Sequence, residues 1–283
     1  MKISIILQYP LPKQALTVLA GKLAQKKCGS LTTAVIGWFV RRYQVNMAEA
    51  ANADIASYAS FNEFFTRPLK DNARPLAKAE FICPVDGAIS QFGAIEKDQI
   101  FQAKGHSYST LAMLAGQKNL AKKIENGSFA CLYLSPKDYH RIHMPCTGTL
   151  KSMTYVPGDL FSVNPSTAAN VPNLFARNER VVCEFESKKH GTFVMVLVGA
   201  TIVGSMATVW HDAPNQTVNP PRTKKIRTWS YADKNIVLKQ GEEMGHFLLG
   251  STVVMLFEKG ALQFNADWQP ARTVSLGEMM SAN

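Results

Sequence analysis

Residues 239–260 read KQGEEMGHFLLGSTVVMLFEKG, an apolar run with a polar interruption at its centre. The flanks are rich in branched side chains, the pattern of a buried strand. Leu249-Gly250-Ser251-Thr252 breaks that pattern. Glycine weakens strands, and a buried hydroxyl needs a partner. A serine becomes nucleophilic only with a base beside it, and the base needs an orienting group. The G-x-S-x-G elbow of serine hydrolases is missing here. A strand interior is also hard for an outside substrate to reach. The nearest carbonyl to Ser251 is that of Gly250, in its own chain. Gly250 leaves that carbonyl unobstructed and permits strained torsions.

Outward from this stretch, the chain changes character near residue 80. Beyond it, short β-branched runs alternate with Gly, Pro, Asn and Asp. They predict strands over 88–95, 129–134, 148–156, 180–186, 192–199, 201–210, 235–238, 247–257 and 261–264. A helical interlude is expected at 107–124 and a helical turn over Pro136–His140. Residues 49–70 read as helical up to Pro68. The fold class is therefore α+β: a helical N-terminal region, 1–70, then an antiparallel-rich β catalytic domain, 71–283. Residues 211–233 are polar, Pro-rich and basic, and read as a long surface loop.

The 283 residues are 46% hydrophobic and 18% charged, enough for a sizeable core. The formal charge of +10 favours an anionic partner. Nucleic acid is disfavoured, since zinc-finger spacing, basic heptads, RNA-binding aromatics and a phosphate loop are all lacking. Five cysteines without a CxxC read as reduced thiols. Residues 1–48 carry Lys2, Lys13, Lys22, Lys26, Lys27, Arg41 and Arg42 and no acid. Leu16, Leu19 and Leu23 share one helical face, as do Leu31, Val35 and Trp38, with Gly29-Ser30 between the segments. Neither segment has the roughly 18 apolar residues of a spanning helix. Two readings stand: helices packed on a core, or a basic pair lying on an anionic membrane surface.

Two further constellations carry chemistry. Asp86 sits in Pro84-Val85-Asp86-Gly87, which taken alone is a turn. Residues 138–145, DYHRIHMP, hold two of the chain's six histidines. His140 and His143 suit proton transfer, and Arg141 suits a carboxylate or phosphate. The three-residue rhythm of His140, His143 and Cys146 is not assigned to a metal, because no fourth ligand is evident. Asp86, His143 and Ser251 form a possible acid–base–nucleophile set.

Seven stretches in order carry a resemblance: FNEFFTR (61–67), PVDG (84–87), YHRIHMP (139–145), YVPGDL (155–160), NERVV (178–182), VGATIVGS (198–205) and LGST (249–252). Together they resemble the phosphatidylserine decarboxylase proenzymes of bacteria and mitochondria, over nearly the whole chain. The resemblance implies that Ser251 attacks the Gly250 carbonyl and the chain splits. The products would be a β subunit, 1–250, and an α subunit, 251–283, with Ser251 converted to a covalent pyruvoyl group. It assigns Asp86 and His143 to processing, with His140 positioning substrate or delivering a proton. The pyruvoyl cofactor would take the amine of phosphatidylserine as a Schiff base, leading to phosphatidylethanolamine and CO2. It further implies a dimer of αβ units and a peripheral position on the cytoplasmic side of the cell membrane for a bacterial source. Phe161 would touch acyl or glycerol carbons, or else pack in the core.

Three rivals remain. A pyruvoyl enzyme acting on a soluble amino acid would prefer free serine. A serine hydrolase built on Asp86, His143 and Ser251 would keep an intact chain. A catalytically silent lipid-binding β domain would neither split nor release CO2.

Overall fold

The computed structural model describes residues 3–201, 206–211, 224–248 and 251–282. Helices α1 (Ile3–Ile6), α2 (Lys13–Ala24), α3 (Ser30–Tyr43) and α4 (Phe61–Phe65) come first. The next elements are β1 (Gly87–Ala94), β2 (Gln99–Ala103), β3 (His106–Ser109), α5 (Thr110–Met113) and α6 (Lys118–Ile124). β4 (Ser128–Leu134), β5 (Arg141–His143), β6 (Gly148–Val156), α7 (Pro165–Ala168) and α8 (Leu174–Arg177) follow. Last are β7 (Arg180–Ser187), β8 (Gly191–Val198), β9 (Met206–Thr208), β10 (Arg227–Ser230), β11 (Val237–Leu238), β12 (Glu243–Phe247), β13 (Ser251–Phe257) and β14 (Thr273–Val274). This is the expected α+β order.

A nine-stranded antiparallel sheet runs β10-β6-β7-β8-β13-β4-β1-β14, with β11 also paired to β6. A three-stranded sheet, β5-β12-β9, packs on one face, and the β2–β3 hairpin belongs to the other. Alternation along β13 sends Val253, Met255 and Phe257 into the first core and Val254 and Leu256 into the second. Burial on both faces explains the unbroken apolar run. By the same alternation Ser251 belongs to the face that β5-β12-β9 covers.

The single strand expected at 247–257 is two strands in two sheets. β12 ends at Phe247 in the small sheet, and β13 begins at Ser251 in the large one. Leu249 and Gly250 lie outside the described residues, as do Ile202–Ser205 of the expected strand 201–210 and residues 212–223 of the expected loop. The interlude 107–124 is a strand end and two short helices. Ala115 and Gly116, at φ 56° and 82°, turn the chain between them. The helix expected over 49–70 shrinks to α4 plus two 3-10 turns, Met47–Glu49 and Ile55–Ser57. At α4, Ser60 Oγ accepts from Glu63 N–H at 3.2 Å, and the Glu63 carboxylate accepts from Ala59 N–H at 2.8 Å. Residues 136–140 form a turn without helix, and 261–264 contribute only the bridge Phe264↔Ser281.

The N-terminal pair forms as expected, with Gly29 at φ 54° opening α3. Leu16, Leu19, Leu23, Leu31, Val35 and Trp38 are all exposed, Leu31 at 63% and Trp38 at 56%. Core packing is therefore excluded for this stripe. Ile36 and Phe39 face inward instead, against Tyr58, Phe64 and Phe65. No helix among the described residues is long and apolar enough to cross a membrane.

β1 approaches β4 so closely at Gly87 that a Cβ there would collide with the Tyr133 carbonyl. Gly87→Ala is expected to destabilise the fold by about 1–3 kcal/mol, read as a lower urea midpoint at unchanged slope.

Candidate functional site

One end of the large sheet collects the residues singled out in sequence. Ser251 pairs with Leu134, the last residue of β4. On the other edge of β4, Ala88 pairs with Tyr133, which puts Asp86-Gly87 level with Ser251. Two strand spacings, about 9–10 Å, separate the outer backbones. The chain leaving Leu134 crosses to the small sheet at His140, whose carbonyl accepts from Phe247 N–H at 3.0 Å. The segment 134–140 thus brackets both ends of 248–250. His143 lies further along β5, opposite Glu243, and its N–H donates to the Pro84 carbonyl at 2.9 Å.

Ser251 is fully buried, and its Oγ has no hydrogen-bond partner among the described residues; Thr252 Oγ1 is in the same condition. An orphaned buried hydroxyl costs about 1–3 kcal/mol, so it marks a place where packing is not the only requirement. A serine with its hydroxyl uncommitted, at the point where the chain leaves one sheet for another, fits conversion into a backbone-attached carbonyl group.

The two imidazoles differ. His140 is fully buried and its ring packs 4.2 Å from that of Phe65. Its Nδ1–H donates to the Asp138 carbonyl at 2.8 Å, so Nε2 carries the lone pair, and that atom has no partner among the described residues. Burial pushes the His140 pKa down to about 3, opposed by the Asp138 bond. His143 donates Nδ1–H to the Gly241 carbonyl at 2.8 Å and receives the Tyr139 hydroxyl on Nε2 at 3.2 Å. Its pKa is also lowered, mainly by burial.

Asp86 was expected to orient His143. It does not hydrogen-bond either imidazole. Its carboxylate takes Arg74 Nε at 2.9 Å, Arg74 Nη2 at 2.6 Å and Leu276 N–H at 2.8 Å. The Gly241 carbonyl orients His143, while the Asp86 charge reaches it only through space. Arg74 also holds Glu49 at 2.7 Å, and its pKa is raised chiefly by the Asp86 bond. Sequence reasoning missed Arg74, Tyr139 and Leu276. Tyr139 stood inside a quoted motif; Arg74 and Leu276 carried no local signal.

Arg141 donates Nε–H to the Thr66 carbonyl at 2.9 Å and Nη1–H to Glu243 at 2.8 Å. Phe161 is buried in the core, its ring 5.0 Å from Tyr9 and 4.2 Å from Lys13 Nζ. Cys83, Cys131, Cys146 and Cys183 are buried free thiols with raised pKa values, and Cys28 is exposed. None of the four buried thiols is poised to react.

The family described as phosphatidylserine decarboxylase matches residues 61–282, and a second, described as PSD, matches residues 3–44. The chain is 68% identical over 282 residues to the phosphatidylserine decarboxylase proenzyme of Dechloromonas aromatica, covering 100% of this chain and 98% of that one. It is 67% identical over 279 residues to the proenzyme of the same name from Methylobacillus flagellatus, covering 98% of each. A third proenzyme of that name, from Azoarcus sp., is 65% identical over 279 residues, covering 99% of this chain and 95% of that one. The chain belongs to the phosphatidylserine decarboxylase family.

Two outcomes follow from the site. Arg74→Ala would leave Asp86 buried with one donor, at a cost of about 3 kcal/mol, measured by urea unfolding of the Ser251→Ala chain. His140 has a folded pKa below its unfolded value, so the unfolded state binds more protons between pH 6.5 and about 3. Stability therefore falls as pH drops through that window, by up to about 1.4 kcal/mol per unit. His140→Gln in the Ser251→Ala chain is expected to flatten the slope of urea midpoint against pH.

Proposed function

We propose that this protein is a self-processing, pyruvoyl-dependent decarboxylase that converts phosphatidylserine to phosphatidylethanolamine and CO2. Family membership supports the reaction class, and the buried Oγ of Ser251, without a partner among the described residues, is the observation that supports the processing. His143 takes the Ser251 proton, and Oγ bonds to the Gly250 carbonyl carbon. The amide C–N bond breaks, leaving an ester and a free amine. Loss of the Ser251 α-proton then breaks the Cβ–O bond and releases Gly250 as a carboxylate. Water displaces ammonia from residue 251, leaving a ketone on the fragment 251–283. Asp86, its carboxylate held by Arg74, stabilises the charged imidazole through space.

The pyruvoyl group supplies an electrophilic carbonyl for the substrate amine and an electron sink when CO2 departs. Residue 251 carries it at the head of β13. His140, neutral and with Nε2 open, holds a lone pair in a dry setting, suited to receiving and returning a proton near the substrate α-carbon. Its open Nε2 also favours a second assignment, His140 rather than His143 as the processing base, since Tyr139 already occupies Nε2 of His143.

The N-terminal unit, residues 1–70, binds the membrane. Its exposed apolar stripe and seven cations without an acid in residues 1–48 suit an anionic phospholipid surface. We place the protein peripherally on the cytoplasmic face of a bacterial cell membrane, with the unit 71–283 carrying catalysis, as a dimer of αβ pairs.

Denaturing mass spectrometry is expected to show two chains, 1–250 and 251–283, in active protein. A single intact active species would refute the processing step. His143→Ala and Asp86→Asn should block splitting, whereas His140→Ala should split and release no CO2. Splitting blocked by His140→Ala alone would transfer the base role to His140. Sedimentation with phosphatidylserine vesicles should fall on deletion of residues 1–48; unchanged sedimentation would remove the membrane role.

A further inference from the structure

One buried acid has no part in the processing chemistry. Glu179, within the stretch NERVV, is 1% exposed. It stands just before β7, and its carbonyl accepts from Gly199 N–H at 2.8 Å. Arg180 pairs with Val198, and Val198 with Thr252. One residue further along that register, Glu179, Gly199 and Ser251 form a row across β7, β8 and β13. Val181 and Val253, two residues on from Glu179 and Ser251, both enter the first core. Glu179 and Ser251 therefore share the face that β5-β12-β9 covers. Tyr155 belongs to the same core, and its hydroxyl donates to Glu179 Oε2 at 2.9 Å.

Ser251 thus has a carboxylate on either side, each about 9–10 Å away across two strand spacings. The two acids differ. Asp86, beside Gly87 of β1, is engaged by the Arg74 guanidinium and the Leu276 N–H. Glu179 takes a phenol hydroxyl. Gly199, between Glu179 and Ser251, carries no side chain, so bare backbone floors the space that separates them. The charged and titratable groups about Glu179, among the described residues, come from three elements. They are Tyr155 of β6, Arg227 of β10, whose guanidinium lies 5.1 Å over the Tyr155 ring, and the Asp159–Arg177 pair beside its backbone.

A primary amine at neutral pH is mainly ammonium, which has no lone pair with which to bond carbon. A base beside residue 251 must first take its proton. We propose that Glu179 receives the ammonium group of the substrate over Gly199 and takes that proton. This rests on the decarboxylase reading and adds to it which residue binds and frees the amine. Ammonium and carboxylate become free amine and carboxyl. When the nitrogen bonds to residue 251, the carboxyl returns its proton to the oxygen displaced there. The nitrogen supplies the second proton, and the oxygen leaves as water. Tyr155 is a positioning residue, aiming the carboxylate by its hydroxyl. The two acids divide the work: Asp86 serves the splitting of the chain, and Glu179 serves the substrate.

Glu179→Gln keeps the volume and an acceptor for Tyr155 but cannot take a proton. By denaturing mass spectrometry it should split into 1–250 and 251–283 to the same extent as the parent. Residue 251 should add phenylhydrazine, a neutral nucleophile, within about twofold of the parent rate. CO2 release from dioleoyl phosphatidylserine in mixed micelles should fall about hundredfold at pH 7. It should then recover at least about tenfold by pH 9, where solvent supplies the free amine. Tyr155→Phe should also split, with the acid limb of its kcat/KM profile moved to higher pH, because the carboxylate has lost a donor. Unchanged CO2 release from Glu179→Gln, a loss that pH 9 does not relieve, or blocked splitting would each overturn the assignment. The last would give Glu179 to processing or to the fold. If Glu179→Gln does not fold, Tyr155→Phe decides, and an acid limb left in place overturns it. A parent that splits and releases no CO2 from phosphatidylserine defeats the decarboxylase reading itself and the amine site with it. A parent that turns the lipid over keeps that reading whatever the variants do.

Discussion

Seven consecutive residues of β13, Ser251 to Phe257, pair with β4 on one edge, and Thr252 to Phe257 pair with β8 on the other. Their side chains enter the two cores alternately. From Thr252 to Phe257 every position is paired on both edges and buried, so the register cannot slip without turning the cores inside out. This pins the strand's first residue in space. Phe247 is pinned equally by the small sheet. The chain must pass from one sheet to the other within residues 248–250, and Ser251 sits at the fixed end of that passage.

Around this end the molecule is tied together by charge. Arg74 bridges Glu49, next to the N-terminal helices, and Asp86, at the mouth of β1. Asp86 in turn takes the N–H of Leu276, near the C-terminus. A single buried carboxylate therefore joins the N-terminal unit, the large sheet and the last stretch of chain. Breaking such a pair strands a charge in a poor solvent for it, which is why its members behave as one unit.

Most of the strands were readable because two-sided burial writes itself as apolar runs and one-sided burial as alternation. What failed had tertiary causes. β5 and β12 hold few branched residues and exist because they pair with each other and pack into the first core through Ile142, Met244 and Phe247. The interlude 107–124 kept helical periodicity but broke where Ala115 adopts positive φ, a choice no alanine advertises. At the site, Ser251, Asp86, His140 and His143 were legible as unusual residues in unusual places. The partners were not: a backbone carbonyl, Gly241 O, and a remote guanidinium, Arg74, leave no mark in local sequence. The triad geometry assumed for Asp86 and His143 yielded to a stronger competitor, because a bidentate guanidinium outbids a neutral imidazole for a carboxylate.

The central place of β13 changes what unfolding means. If the chain is cut before Ser251, the middle strand of the largest sheet belongs to a different polypeptide from its neighbours. Opening the sheet then becomes dissociation, and closing it again is a second-order encounter between a long fragment and a short one. The short piece, 251–283, has no sheet of its own to fold into. The fold is assembled once, as a single chain, and afterwards persists because leaving it is slow. Lifetime in the cell is then governed by an unfolding rate, and each molecule's history runs in one direction.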